Sequence, residues 1–155
     1  MTVTSAGILL YRRIGGVVEV LLCHPGGPVW AKRDEGAWSV PKGEVAKDED
    51  LLEVARREFH EEVGIPLSCA PPLPLGSVTL RSGKVVHAWA CEGDVDPAEQ
   101  RSNAFSMEWP PRSGRVQEFP EVDRVEWFHP EAARRKLNAA QTALVDRLLD
   151  LLEES

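Results

Sequence analysis

The segment Pro41–Gly64 reads PKGEVAKDEDLLEVARREFHEEVG, and eight of its twenty-four residues carry a carboxylate. One glycine, Gly43, lies near its start, and another, Gly64, closes it. Aspartates precede its periodic apolar part and a glycine follows it, which are the signals of a helix start and a helix end. The sequence therefore predicts a helix over Asp50–Val63, entered from a loop that contains a glycine.

The predicted helix carries an apolar face and an acidic face. At about 100° per residue, offsets of three and four return to the same side, so Glu58, Glu61 and Glu62 form one patch. Their mutual repulsion costs a few tenths of a kcal/mol per pair, which a bound hard cation such as Mg²⁺ would offset. An ordinary solvated face is the alternative interpretation of such a run. The expected buried face consists of Leu52, Ala55, Phe59 and Val63.

The loop before the helix has its own expected partner. Glu49, at the helix start, is the natural ion-pair partner of Arg57, and the pair would lock the loop Gly43–Asp48 to the helix. We expect Gly43 to adopt a backbone conformation that is closed to other residues. A main-chain carbonyl, with that of Lys42 as the candidate, could then turn toward a metal.

These residues and their spacing resemble the Nudix box, which here runs from Gly43 to Ile65. Phe59 is a mild departure, because the family usually has an aliphatic residue there. The resemblance implies an α/β/α sandwich with a mixed central sheet, formed by residues 1–155 as a single domain. It also implies hydrolysis of a nucleoside diphosphate linked to another group, with Mg²⁺ or Mn²⁺. The matching positions are Gly43, Glu49, Arg57, Glu58, Glu61, Glu62 and Gly64.

The resemblance also implies roles for individual side chains. Glu58, Glu61 and Glu62 correspond to metal ligands, with the Lys42 carbonyl as a further candidate, and Glu58 or a nearby carboxylate would activate the attacking water. Glu49 and Arg57 would support this site. The family often supplies one more carboxylate from a loop before the last strand, and here Glu118 and Glu121 are both candidates.

The residues around the box indicate a class of substrate. Trp38 and the run Pro41-Lys42-Gly43 resemble the corresponding residues of the family branches that hydrolyse dinucleoside polyphosphates and diphosphoinositol polyphosphates. The chain as a whole resembles bacterial, MutT-like members of the family. A dinucleoside polyphosphate such as diadenosine tetraphosphate is therefore the expected substrate, and Lys42 could meet a phosphate. A (d)NTP, a nucleotide sugar or an RNA cap is the alternative within the same chemistry. A nucleotide-binding regulatory module without catalysis is the alternative from another class.

Residues 94–120 are predicted to form a long irregular segment, because turn-forming residues interrupt them. Its arginines could clamp outer phosphates, and a tryptophan could stack on a base. The alternative for each tryptophan is a core or loop anchor. The arginine candidates are Arg101, Arg112 and Arg115, and the tryptophan candidates are Trp109, Trp30 and Trp89.

The remainder of the chain predicts a mixture of strands and helices, which favours an α/β or α+β sandwich. A leucine-rich tail, with Leu144, Leu148 and Leu151 on one face, favours a helix packed on a sheet. The expected strands are residues 5–13 and 16–24, paired as a hairpin, 36–40, 77–81 and 84–93, again paired, and 124–128. The tail 130–154 is expected to be helical, in one piece or in two pieces broken near Asn138.

Composition narrows the partners and the compartment. A formal charge of −7 argues against an extended nucleic-acid surface but not against a small phosphorylated ligand bridged by cations. Three cysteines without CxxC spacing favour thiols in a reducing compartment. With neither a signal peptide nor an apolar run of membrane-spanning length, the expected location is the cytoplasm, away from membranes. The sequence leaves the oligomeric state open.

Overall fold

The structure is a computed structural model that describes residues 2–67 and 71–153. Its helices are α1 (Leu51–Val63), α2 (Pro130–Lys136) and α3 (Thr142–Glu153), with 3₁₀ turns at Pro97–Glu99 and Ala139–Gln141. Its strands are β1 (Thr4–Ile14), β2 (Val17–Pro25), β3 (Lys42–Glu44), β4 (Leu73–Thr79), β5 (Val85–Glu92), β6 (Ala104–Glu108), β7 (Val116–Pro120) and β8 (Val122–Phe128).

Six of these strands form one mixed sheet in the order β4-β5-β1-β2-β8, with β3 attached to β1. β1 runs parallel to β5 and antiparallel to β2 and β3. Along one edge of β1, the start of the strand pairs with β3 and its end pairs with β2. The strand next to β1 on this side therefore changes from β3 to β2 partway along β1. We call this place the divided edge of the sheet.

Alternation along β1 separates two apolar layers. Ala6, Ile8 and Leu10 face the cluster that contains the apolar side of α1, because successive side chains of a strand point to opposite faces. Leu9 and Tyr11 face the cluster that contains α2 and α3. The expected arrangement of helices on both faces of a mixed sheet is thus confirmed.

The helix α1 has the predicted ends. The Asp50 side chain accepts a hydrogen bond from the Glu53 backbone N–H at 3.0 Å, and Gly64 closes the helix in the left-handed region with φ of 75°. Its buried residues include Val54, which the sequence analysis did not assign, while Leu52 is only half-buried. Leu52 nevertheless packs against the same apolar cluster as Ala55, Phe59 and Val63, as the predicted buried face requires, and is partly exposed in the first turn of the helix.

The sequence predictions for two segments were wrong. Residues 94–120 are not irregular throughout, because β6 and β7 pair as a two-stranded antiparallel hairpin, Phe105 opposite Phe119. Residues 36–40 form no strand and make only isolated bridges, from Ser39 to Cys23 and from Trp38 to Leu137. Trp38 is buried all the same, since its segment crosses from the sheet to α2.

The tail follows the two-piece prediction, with a 3₁₀ turn after Asn138 between α2 and α3. Leu144 and Leu148 are buried against the sheet, and Leu151 is half-buried. Cys23 and Cys91 are buried thiols, and Cys69 lies outside the described residues. No helix of residues 2–67 and 71–153 is long and apolar enough to cross a membrane.

Candidate active site

The acidic patch of α1 lies on the inward side of the helix. Around the helix at about 100° per residue, Glu58 and Glu62 fall between the buried residues Val54 and Ala55. Glu61 lies at the outer edge of the same arc. The helix therefore turns two carboxylates toward the divided edge of the sheet instead of toward solvent.

These carboxylates line one cavity of about 410 Å³, which we call the acid pocket. β3 supplies one wall, α1 supplies the second, and the segments flanking the β6–β7 hairpin supply the third. A smaller cavity of about 210 Å³ shares Lys42, Glu62 and Glu121 with it. The acid pocket is lined by Lys42, Gly43, Glu44, Glu58, Glu61, Glu62, Asn103 and Glu121.

Gly43 is required for space. The glycine is not among those with positive φ, so the expected special backbone conformation was wrong. Instead, a Cβ atom at Gly43 would overlap the carboxyl group of Glu58. The absence of a side chain on β3 is what lets the Glu58 carboxylate lie against the strand.

Burial and mutual proximity change the acidity of the patch. Burial, together with the carboxylates of Glu58 and Glu121, raises the pKa of Glu62 to about 8 against the opposing effect of the Lys42 ammonium. Burial and the adjacent Glu61 carboxylate raise the pKa of Glu58. Burial lowers the pKa of Lys42. Without a cation, the pocket therefore holds its carboxylates in an unfavourable environment.

The main chain of Lys42 contributes a donor. Its backbone N–H donates to Glu62 Oε2 at 3.1 Å, which fixes that carboxylate against β3. The Lys42 side chain lines both cavities. Its ammonium group is thus placed beside Glu62, and the role of its carbonyl as a metal ligand stays a prediction.

The expected lock between loop and helix is present. Arg57 Nη1 donates to Glu49 Oε2 at 2.7 Å, and the Ala46 backbone N–H donates to Glu49 Oε1 at 2.8 Å. Glu49 thus joins α1 to the loop that follows β3. Burial plays little part here, and the Arg57 guanidinium lowers the pKa of Glu49.

Of the two candidates for the additional carboxylate, Glu121 lines the acid pocket. Glu118 is exposed on β7, opposite Ser106. Sequence reasoning missed Asn103, whose backbone N–H donates to the Glu61 carbonyl and whose carbonyl accepts from the Glu121 N–H at 2.7 Å. Asn103 could not be found from the sequence, because nothing in its neighbourhood signals that β6 starts beside α1.

Five further substrate candidates do not line the acid pocket. Trp109, Arg112 and Arg115 belong to the turn of the β6–β7 hairpin and do not line the pocket. The Arg101 backbone packs on Gly64, and Trp89 packs in the core beneath α1. Roles of these five side chains on substrate stay predictions.

The chemistry of the pocket fits a hard divalent cation. Its anionic donors are carboxylate oxygens, which suit Mg²⁺ or Mn²⁺, and the glycine on β3 leaves room for Glu58. Within the described parts of the chain, no three Asp, Glu, His or Cys side chains converge as a ready coordination sphere. Side-chain rotation would therefore have to accompany metal binding.

Comparison with known proteins gives the family. The NUDIX domain model matches residues 1–148. An RNA pyrophosphohydrolase of Hahella chejuensis is 45% identical over 51 residues, which is 32% of each chain. An asymmetrical bis(5'-nucleosyl)-tetraphosphatase of Caenorhabditis elegans is 37% identical over 65 residues, 42% of this chain and 43% of that one. The matches thus span less than half the length of these curated relatives.

Solved structures share the fold. An Ap4A hydrolase of C. elegans, in a binary complex, has a TM-score of 0.70 at 22% identity, covering 97% of this chain and 99% of that one. The NUDIX domain of Shewanella oneidensis NrtR, complexed with ADP ribose, has a TM-score of 0.64 at 14% identity, covering 98% and 89%. The architecture agrees with that of these proteins over nearly the whole chain, and with the family match it shows that the chain belongs to the NUDIX family.

Proposed function

We propose that this chain is a divalent-metal-dependent pyrophosphohydrolase that cleaves a nucleoside diphosphate linked to another group. The observation that carries the proposal is that Glu58, Glu61, Glu62 and Glu121 all line one pocket. With Glu44, five carboxylates line this cavity. They are poorly matched to an anionic ligand, but they are well matched to cations placed between the protein and a phosphate chain.

The roles follow from the position of each group. Glu58, Glu61, Glu62 and Glu121 would hold the ion. When bound, a divalent cation neutralises phosphate charge and lowers the pKa of a water molecule. One carboxylate of this set, with Glu58 as first candidate, would accept the proton of the attacking water. The Lys42 ammonium would contact a phosphate oxygen of the substrate.

Other residues would hold these groups in position. The Arg57–Glu49 pair would hold the loop after β3 in place, so that β3 stays against α1. Main-chain hydrogen bonds of Asn103 would keep Glu121 beside Glu61. Positioning of this kind is the main contribution of a protein to phosphoryl transfer.

The preferred substrate is a dinucleoside polyphosphate, with diadenosine tetraphosphate as its representative. The names of the C. elegans relatives support this choice, as does the similarity of the Pro41-Lys42-Gly43 run noted above. The second candidate is an RNA that carries a pyrophosphate linkage, which is favoured by the name of the Hahella chejuensis relative and by that of a Caulobacter vibrioides RNA pyrophosphohydrolase 45% identical over 53 residues. Both substrates place an anhydride bond between phosphates, and the cytoplasm is the expected location.

A hydrolysis assay tests the proposal. Purified protein is incubated with diadenosine tetraphosphate, with a (d)NTP, with a nucleotide sugar and with a 5'-triphosphorylated oligoribonucleotide, in Mg²⁺, in Mn²⁺ or with chelator. We expect metal-dependent cleavage with products identified by chromatography, and a fall in kcat of about a hundredfold or more for Glu62→Gln. Glu118→Gln is the matched control and should keep wild-type turnover. Tight nucleotide binding without cleavage of any substrate would instead favour a binding module.

A further inference from the structure

A second cavity lies next to the acid pocket and has different chemistry. It measures about 460 Å³, within the range of small-molecule sites. Its walls are apolar apart from Glu121, which lines the acid pocket as well. We call it the apolar pocket. Its other lining residues are Pro25, Gly26, Gly27, Pro28, Val29, Trp30, Phe105 and Met107.

The walls of the apolar pocket come from two segments held together by main-chain contacts. The Gly26 backbone N–H donates to the Glu121 carbonyl at 2.9 Å, which joins the end of β2 to the start of β8. A Cβ atom at Gly26 would overlap the Pro120 carbonyl, so only glycine permits this approach. The apolar pocket is therefore a built feature of the fold, fixed to the residue that also belongs to the acid pocket.

Aromatic rings flank the apolar pocket. Alternation along β6 places Phe105 and Met107 on one face of the hairpin, while Ser106 lies exposed on the other. Gly27 lies against the Phe105 ring, since a Cβ there would come within 2.9 Å of Phe105 Cζ. Trp30 also lines the apolar pocket, with 39% of its surface exposed and the Arg33 guanidinium 5.6 Å from its ring centroid, so packing in the core does not account for it.

We propose that the apolar pocket binds the nucleobase of the substrate, between Trp30 and Phe105, while the phosphates occupy the acid pocket. This inference rests on the proposed function and adds the position of the base to it. A neutral planar ring suits an apolar cavity with aromatic walls, and base–aromatic stacking needs no particular base. Glu121 marks the place where the two parts of a nucleotide would meet.

This proposal assigns base recognition to Trp30 and not to Trp109. Trp109 lies on the same hairpin as Phe105 but outside the apolar pocket. It therefore offers a matched control, the removal of an equally large ring close by. Trp30→Ala changes a partly exposed residue, and so it should leave the fold intact.

The test is binding without turnover. Dissociation constants of AMP and of ribose 5-phosphate are measured by ligand-observed NMR in Mg²⁺ for wild type, Trp30→Ala, Phe105→Leu and Trp109→Ala. We expect wild type and Trp109→Ala to prefer AMP about tenfold or more, and Trp30→Ala to lose most of that preference. Phe105→Leu, which keeps an apolar side chain in the hairpin, should show a smaller loss.

Equal affinity of wild type for AMP and ribose 5-phosphate, or an unchanged preference in Trp30→Ala, would overturn the proposal. So would a concentration-dependent dimer in sedimentation that Trp30→Ala dissociates while the AMP preference stays, because a second copy would then be the occupant. Since the readout is product binding, it is independent of hydrolysis. An AMP preference that depends on Trp30 in a protein without turnover would support the base site and refute the proposed enzyme.

Discussion

At the scale of single residues, the acid pocket depends on the volume that a small residue leaves free more than on special backbone conformations. Gly43 has an ordinary backbone, yet any side chain there would overlap the Glu58 carboxyl group. The structure of β3 therefore does not depend on the conformational freedom of glycine at this position. What matters is that one strand residue leaves the volume into which a helix side chain extends.

Gly43→Ala tests this contact. We expect it to destabilise the protein by at most about 1 kcal/mol, because the methyl group meets only the carboxyl end of the flexible Glu58 side chain, which can rotate away. Urea unfolding in chelator measures the loss, and a metal-dependent hydrolysis assay should show a parallel fall in kcat. If the cause is steric, Glu58→Ala in the same chain should restore most of the stability that Gly43→Ala removes. Additive losses in the double variant would contradict the contact.

The buried carboxylate Glu62 should make the stability of the metal-free protein depend on pH. Its pKa is raised from 4.5 to about 8, so between these values the folded protein binds more protons than the unfolded chain. The free energy of unfolding should therefore fall as pH rises from about 5 to about 8. Urea unfolding in chelator at several pH values measures the slope.

Glu62→Gln is the control for that slope. Glutamine does not titrate, so the decline between pH 5 and 8 should be smaller in this variant, and the variant should be the more stable protein at pH 8. Added Mg²⁺ should reduce the decline in wild type, because a cation favours the ionised carboxylate. A slope that Glu62→Gln leaves unchanged would assign the titration to other groups.

At the scale of elements, the inward face of α1 has two functions. Its apolar stripe anchors the helix on the sheet, and two carboxylates lie within the same arc. The helix ends are fixed by Asp50 and Gly64, and the Gly64 end also touches the Arg101 backbone. The helix, the segment before β6 and the pocket between them are therefore coupled at this residue.

Gly64→Ala should lower the free energy of unfolding by more than the left-handed backbone conformation alone explains. Gly36 has a similar φ of 81° with open space around it, so Gly36→Ala measures the conformational cost, about 1 kcal/mol. At Gly64 a methyl group would also overlap the Arg101 carbonyl, and we expect an additional loss of about 1–3 kcal/mol. Thermal or urea unfolding of the two variants gives the difference. Equal losses would remove the Arg101 contact from the explanation.

Some of these elements could be predicted from the sequence, and others could not. A thirteen-residue periodic helix with an aspartate before it and a glycine after it is a strong local signal, and α1 matched it. β6 and β7 are five residues each, separated by a turn rich in Pro, Gly and Ser, and their apolar faces become clear only when Phe105 is set opposite Phe119. Long-range pairing of this kind leaves little local trace.

The same difference applies to the site residues. Glu58, Glu61 and Glu62 share a helix, so their proximity followed from spacing. Glu121 and Asn103 reach the acid pocket by tertiary contacts, and the sequence left Glu121 and Glu118 as equal candidates. Both side chains are exposed, and only tertiary position separates them: Glu118 lies on β7 opposite Ser106, whereas Glu121, between β7 and β8, lines the acid pocket.

At the scale of the whole molecule, the divided edge of the sheet creates the site. β1 pairs with β3 at its start and with β2 at its end, and the opening lies under α1. Three segments that are distant in sequence then contribute acids or donors to one pocket. A protein with a formal charge of −7 can bind a phosphate chain there only if cations stand between them.

Mn²⁺ titration followed by electron paramagnetic resonance tests this requirement most directly. The proteins are wild type, the double variant Glu58→Gln/Glu62→Gln, and Glu118→Gln as the control with an exposed acid. We expect wild type and Glu118→Gln to bind Mn²⁺ in stoichiometric amounts, and the double variant to lose that binding while it keeps its circular dichroism spectrum. Mn²⁺ binding by a folded double variant with wild-type affinity would contradict a metal site in the acid pocket.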